Sequence, residues 1–395
     1  MGSEARLAQR VVNFGIIGCG LMGREFASAA ARWLHLADPA TGRPFPVAPR
    51  ITAVCDVNPA MMDWFTSNLG TVSLATTDYR ELLAAPNVEA VYCAVPHNLH
   101  EQLVVDIVQA GKHLLGEKPF GIDRPANQAI NAAIAASPGV LVRVSSEFPF
   151  YPGAYQIARW ALEGRFGRIV DVQADFWHSS DLDPQKPINW KRRIETNGEY
   201  GCMGDLGLHV VHIPFRAGWR PQNVRALLSN IVAERPGPGG EMVACETWDN
   251  AILATEAQSV DGQTFPMVLT TKRIAPGEMD TWRIRVLGTE FSAEFSTKQP
   301  RTLRTMPYER GEPQAWREQD IGYKSAYPAI TGGIFEFGFT DAMLQMWAAF
   351  LDELEHGRGA MSQPFTCATP EEAALSHDLF TAALESQRTG QTVSV

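Results

Sequence analysis

The chain has 395 residues, which at about 150 residues per domain allows two or three domains, and its 45% hydrophobic and 20% charged residues are the composition of a folded protein. Its formal charge of −10, from 34 Lys and Arg against 44 Asp and Glu, opposes the field that a nucleic-acid or anionic-membrane binder presents. Six cysteines are scattered without a C-x-x-C pair or zinc spacing, which signals no disulfide framework and no metal site and suits a reducing cytoplasm, and no run approaches the roughly 18 apolar residues of a membrane span.

Residues 11–17 form an apolar, β-branched run that stops at Gly18-Cys19-Gly20-Leu21-Met22-Gly23, and residues 24–36 carry helix formers. Residues 36–50 hold Pro39, Pro44, Pro46 and Pro49 and read as an inserted loop. A strand at 51–55 ends in Asp56. Then come a helix near 59–68, a strand at 90–95, a helix at 100–110, a strand at 113–116, a helix near 124–136 and a strand at 140–144. This alternation predicts a parallel sheet covered by helices. Past residue 146 a helix at 154–162, a strand at 169–177, a long loop and a helix after Gly204 are followed by alternating runs at 224–232, 248–257, 264–272 and 282–287. Residues 235–240 are a loop by composition, and helices at 341–354 and 371–386 close the chain. The expectation is an α/β domain of Rossmann type over residues 1–146, then an α+β domain over 147–395 with a large, mostly antiparallel open sheet.

Gly18, Gly20 and Gly23 follow a strand and open a helix. In that place they permit a tight turn, close approach of a pyrophosphate and helix-to-strand packing, with phosphate at the helix N-terminus by Leu21 and Met22. Asp56, at the end of the second strand, is placed to accept hydrogen bonds from an adenosine ribose. It lies farther from Gly23 than the usual spacing of about 20 residues because of the proline-rich insertion. A carboxylate there repels a 2′-phosphate, and no Arg or Ser follows it, so NAD is favoured over NADP.

Two further motifs carry a family resemblance. Ala94-Val95-Pro96-His97-Asn98-Leu99-His100 with Gly116-Glu117-Lys118-Pro119, and Gly201-Cys202-Met203-Gly204-Asp205-Leu206-Gly207-Leu208-His209, resemble the signature of the Gfo/Idh/MocA oxidoreductases over nearly the whole chain. The resemblance implies two-domain enzymes that move a hydride between nicotinamide and a hydroxyl of a sugar, cyclitol or related compound. It implies that Pro96, His97, His100 and Glu117 sit in the cofactor region and that Lys118 contacts the nicotinamide ribose and the reacting hydroxyl. Asp205 and His209 then line the sugar pocket, and subunits assemble as dimers or tetramers through the exposed sheet face.

Physical reasoning supports these roles. Asp205 and His209 are four apart and share a helix face. A carboxylate there fixes the imidazole tautomer, the imidazole accepts a hydroxyl proton, and Lys118 stabilises a developing alkoxide.

The chain departs from the family pattern at three places: His212 stands where many relatives carry Asp, Glu147 starts a segment where many show Asn-x-Arg-Phe-x-Pro, and His97 follows Pro96 where a small polar residue is common. Lys191, Arg192 and Arg193 are three adjacent cations before the catalytic helix, candidates to clamp an anionic substituent. Trp177, His178 and Trp190 are candidates to stack on a sugar face.

The leading expectation is an NAD-dependent enzyme acting on a pyranose or derivative. A redox-neutral glycosidase on the same scaffold, oxidising the 3-hydroxyl transiently, would need an extra acid or base, for which Glu147, Tyr200 and His178 are candidates. Its substrate would be an anionic glycoside such as a sulfoquinovoside. A nonenzymatic NAD-binding sensor is the third reading.

Overall fold

The computed structural model describes residues 9–39, 41–322, 324–331 and 335–395; residues 1–8, where the expected first domain begins, lie outside these. Strand β1 (Arg10–Ile17) turns into α1 (Leu21–Ala31). Then follow β2 (Val47–Cys55), α2 (Asp63–Asn68), β3 (Leu74–Thr76), α3 (Tyr79–Ala84), β4 (Ala90–Cys93), α4 (His100–Gln109), β5 (His113–Gly116), α5 (Arg124–Ala135) and β6 (Val142–Val144). The six strands are parallel in the order β3-β2-β1-β4-β5-β6. The order reverses between β1 and β4, so the loops that leave their carboxyl ends border a crevice, the usual ligand site of such sheets.

Two features differ from the expected pattern. The pair β3 and α3 was not anticipated, because elements of three and six residues are too short to show a period. Strand β2 starts at Val47, four residues earlier than expected, with Pro49 inside it. β3 pairs only with Ala53–Cys55, so one edge at Pro49 is open and its missing N–H interrupts no ladder. The insertion before β2 packs on the far part of the chain: Ala37 donates to the Pro328 carbonyl at 2.8 Å, and Phe45 meets Trp33 and Tyr327 edge-on.

The second part comprises α6 (Pro152–Leu162), β7 (Ile169–Trp177), α7 (Ile194–Asn197), α8 (Cys202–Arg216), β8 (Arg220–Pro221), β9 (Asn223–Ser229), β10 (Glu234–Pro236), β11 (Met242–Ala244), β12 (Asn250–Gln258), β13 (Thr264–Lys272), β14 (Thr281–Gly288), β15 (Phe291–Ser296), β16 (Thr302–Pro307), β17 (Arg317–Asp320), α9 (Phe339–His356), α10 (Pro370–Thr389) and β18 (Val393–Ser394). Ten strands form one sheet, with β17-β16-β15-β14-β7-β13-β12-β9-β18 in sequence and β8 beside β12. Among the described residues, only the central pair β7–β13 of this sheet is parallel. Of the segment 235–240 expected as a loop, Arg235 and Pro236 belong to β10, and residues 237–241 form the turn of a separate hairpin, β10–β11.

Helix α8 is buried from Cys202 to Phe215, between the sheet and α10. Gly207 explains how it fits: a Cβ there would come within 2.2 Å of Phe380 Cζ, so a glycine that costs about 1 kcal/mol of helix propensity lets α10 approach. From α9, Trp347 stacks on Phe26 at 3.5 Å and lies edge-on to Phe14 at 4.5 Å, inside the core of the first sheet. That packing couples the two parts and holds the crevice between them. No helix among the described residues is long and apolar enough to cross a membrane.

Candidate active site

The glycine turn forms an open cradle. Gly18 adopts φ +94°, and a Cβ there would come within 2.1 Å of the Ala94 carbonyl oxygen; at Gly23 it would come within 2.3 Å of the Gly18 oxygen. A Cβ on Gly20 would meet no atom within 4 Å, so that glycine keeps space clear above a helix start that no side chain caps, next to Leu21 and Met22. Asp56 closes one side: Oδ2 accepts from Cys19 N–H and Oδ1 from Asn58 N–H, each at 2.9 Å. Helix-start N–H groups that no side chain caps, an unfilled gap, and a carboxylate that accepts at the strand end are what a dinucleotide's phosphates and ribose require. Gly20→Ala is therefore expected to fold normally and to weaken NAD binding at least tenfold in a calorimetric titration, whereas Gly18→Ala is expected to lose folded protein. Unchanged NAD affinity in Gly20→Ala would remove the cradle from the account.

The loops after β4 and β5 meet the second part of the chain. Pro96 precedes His97, which is buried, donates from Nδ1 to the Asn197 carbonyl at 2.9 Å and lies edge-on to Trp190 at 5.0 Å. His100 is buried between these loops. Both its ring nitrogens are taken by backbone, Nε2 donating to the Val95 carbonyl and Nδ1 accepting from Gly121 N–H, so it shapes the two loops. Glu117 points its carboxylate inward, accepting from the Tyr92 hydroxyl at 2.6 Å.

Lys118 and Asp205 join the two parts, Nζ to Oδ1 at 2.9 Å. Asp205 also accepts from Lys191 at 3.1 and 3.2 Å and from Arg273. Burial pushes the Asp205 carboxyl upward, but Arg273, Lys118 and Lys191 together hold it well below the usual carboxylate range. Lys118 stays above the ordinary lysine value because Asp205 and Glu117 outweigh its burial.

Arg273 was not anticipated. The parallel pairing of β7 and β13 brings His178 and Arg273, which follow those strands, to the same sheet end beside the first turn of α8. The cation pair Lys272-Arg273 closing an otherwise uncharged strand run was the available signal.

The three-cation clamp is not what the structure builds. Only Lys191 reaches Asp205. Arg192 is fully buried between Asp181 and Asp249, and Arg193 turns outward, 3.7 Å from Glu246. The reason is local: residues 190–192 form a 3-10 turn, and at three residues per turn adjacent side chains point about 120° apart.

His209 is buried, edge-on to Phe148 and Phe176 at 5.2 and 5.5 Å. It makes no hydrogen bond to Asp205 among the described residues, because both Asp205 oxygens are occupied by cations; its Nδ1 instead faces Glu147 Oε2 at 4.0 Å. Burial and the Lys118 charge hold the imidazole well below its ordinary value, so it is neutral and able to accept a proton.

Two further assignments are corrected. Trp177 lies on the opposite sheet face from Phe176, as strand alternation requires, bonding Thr270 and stacked by Lys272 and Arg283. The Tyr200 hydroxyl is taken by Thr381 and the His377 carbonyl of α10. His178 pairs with Asp280 at 3.4 Å. His212 is buried 3.8 Å from Glu372, one turn beyond His209 on α8, and its charge would oppose protonation of that imidazole.

Comparisons with known proteins agree on the class. Residues 12–146 match a family model described as an oxidoreductase family, NAD-binding Rossmann fold, and residues 155–294 match the GFO/IDH/MocA C-terminal domain. The levoglucosan dehydrogenase of Pseudarthrobacter phenanthrenivorans is 26% identical over 229 residues, 58% of this chain and 57% of that protein. An inositol 2-dehydrogenase/D-chiro-inositol 3-dehydrogenase of Lactiplantibacillus plantarum is 28% identical over 186 residues, 47% of this chain and 49% of that one. The chain thus spans about half the length of these relatives. A solved levoglucosan dehydrogenase in complex with NADH superposes with a TM-score of 0.83 at 21% identity, covering 98% of this chain and 99% of that one, a likeness of fold.

Proposed function

Because the chain belongs to the GFO/IDH/MocA oxidoreductase family, we propose that it is an NAD-dependent dehydrogenase acting on a hydroxyl of a sugar or sugar derivative that carries an anionic group. The observation that carries the reading is the contact of Lys118, at the end of β5, with Asp205 on α8, one helical turn before the neutral His209. When bound in the cradle of Gly18, Gly20 and Gly23, NAD supplies the hydride acceptor. His209 takes the hydroxyl proton, and the Lys118 ammonium stabilises the oxygen as it becomes negative. Asp205 acts on Lys118 by fixing its ammonium, and Arg273 and Lys191 fix Asp205.

Charge supports the anionic substrate. Lys118, Lys191, Arg273, Arg192 and Lys186 are five cations meeting the three carboxylates Asp205, Asp181 and Asp249. Lys191, 34% exposed, is the more open of the two lysines on Asp205, whereas the 39% exposed Lys186 stands on Asp181. A carboxylate, phosphate or sulfonate on the sugar would pair with the exposed Lys191 ammonium. The expected result is NADH formation faster with acidic sugars than with their neutral counterparts, the gap narrowing roughly ten- to hundredfold in Lys191→Met, the worth of one charge-assisted hydrogen bond. Equal losses on acidic and neutral sugars would contradict the anionic site.

Two further properties belong to this proposal. Leu227 and Ile252 are cross-strand neighbours, 57% and 37% exposed on the open sheet face, which supports assembly as a dimer or tetramer through that face. The six cysteines are all unpaired thiols, which supports a reducing, cytoplasmic setting.

A further inference from the structure

Two buried polar atoms face each other without hydrogen-bond partners among the described residues: Glu147 Oε2 and His209 Nδ1, 4.0 Å apart. Each such atom costs about 1–3 kcal/mol if left unsatisfied, so a pair of them aimed at one another is a built feature. The gap is about an ångström longer than a hydrogen bond, which a small rotation of the carboxyl or one bridging water closes. Glu147 also replaces the amide that its family position commonly carries, and it stands on a short 3-10 turn whose Phe148 is packed against the imidazole.

We propose that Glu147 and His209 form a proton relay, in which the Glu147 carboxyl stores the proton that passes through the imidazole to and from the reacting oxygen. This rests on the dehydrogenase reading. In oxidation, the substrate O–H proton goes to His209 Nε2 while the Nδ1 proton goes to the Glu147 carboxylate, and the carbon-bound hydrogen leaves with its electron pair to NAD. In carbonyl reduction the same protons run backwards, from Glu147 to Nδ1 and from Nε2 to the new alkoxide. Glu147 acts through the imidazole and is a positioning residue.

The surroundings set which state is populated. Burial, with the Glu117 charge next, pushes the Glu147 carboxyl up to about 8, against the pull of Lys118; Asp280 adds to the rise. Tyr92 and Tyr151 are the other titratable neighbours, both held protonated by burial. Around His209 stand Lys118, Asp205, His212 and His178. The sign follows: below about 8 the carboxyl holds its proton and the site is loaded for reduction, and above it the carboxylate can receive a proton and the site is set for oxidation.

The test combines pH profiles with an infrared titration. In the wild type, kcat/KM for oxidation should rise with pH to a break near 8 and that for reduction should fall beyond the same break; Glu147→Gln should move the break by more than one pH unit and lower kcat at least tenfold. Independently of substrate and NAD, the difference infrared spectrum between the wild type and Glu147→Gln near neutral pH should contain one protonated-carboxyl band. His209→Gln should shift that band by removing its acceptor. An unmoved break, or no such band in the difference spectrum, overturns the relay. Because the infrared arm needs no turnover, failure of the dehydrogenase reading and failure of the relay are separately visible.

Discussion

Lys118→Ala lowers kcat/KM by about 10²- to 10³-fold, the usual effect of removing one charge aimed at a developing oxyanion, while the melting temperature changes little. The two halves of this expectation have separate causes. The loss is in kcat more than in KM, because the ammonium is needed most when the hydroxyl oxygen becomes negative. The fold survives because Asp205 is not left alone: Lys191 and Arg273 still donate to it, so no buried carboxylate loses all its partners. Steady-state kinetics beside thermal unfolding check both. Retention of most activity would remove Lys118 from the reaction.

Arg192→Leu has the largest expected effect on stability. Its guanidinium is fully buried and binds Asp181 and Asp249, so the substitution leaves two buried carboxylates short of a partner and costs about 3–5 kcal/mol. The cost is moderated by what remains: Asp181 keeps Lys186, and Asp249 keeps the N–H groups of Ile231 and Val232. Activity should fall as well, since Asp181 also faces Arg273, which holds Asp205. Arg193→Ala, one residue away and 39% exposed, should change stability by no more than about 0.5 kcal/mol. Urea unfolding of the two variants is the comparison, and similar small shifts in both would show that the buried network carries no weight.

That contrast also shows how far the sequence could be read. The glycine turn was legible because its chemistry is local, a glycine pattern between strand and helix, whereas Lys118 was singled out only through the family resemblance of the motif that carries it. The parallel sheet and the largely antiparallel one were legible because period 2 and period 3.6 are local as well. What joins distant segments was not. The three adjacent cations look equivalent in the chain, and only the 3-10 turn separates them into a site lysine, a buried ion-pair partner and a surface arginine. Trp177 and Phe176 are neighbours in sequence, yet strand parity sends the phenylalanine to His209 and the tryptophan to the opposite face. The i, i+4 spacing correctly put Asp205 and His209 on one helix face. It could not show that cations from three other segments would occupy the carboxylate and leave the imidazole to Glu147.

Purified protein incubated with NAD and sugar glycosides, with NADH absorbance and aglycone release followed together, tests the central claim most directly. A net dehydrogenase forms NADH in step with oxidised sugar while the glycosidic bond stays intact, and Lys118→Ala stops it. Release of the aglycone at catalytic NAD with no net NADH would contradict that account, as would saturable NAD binding with no turnover of any sugar.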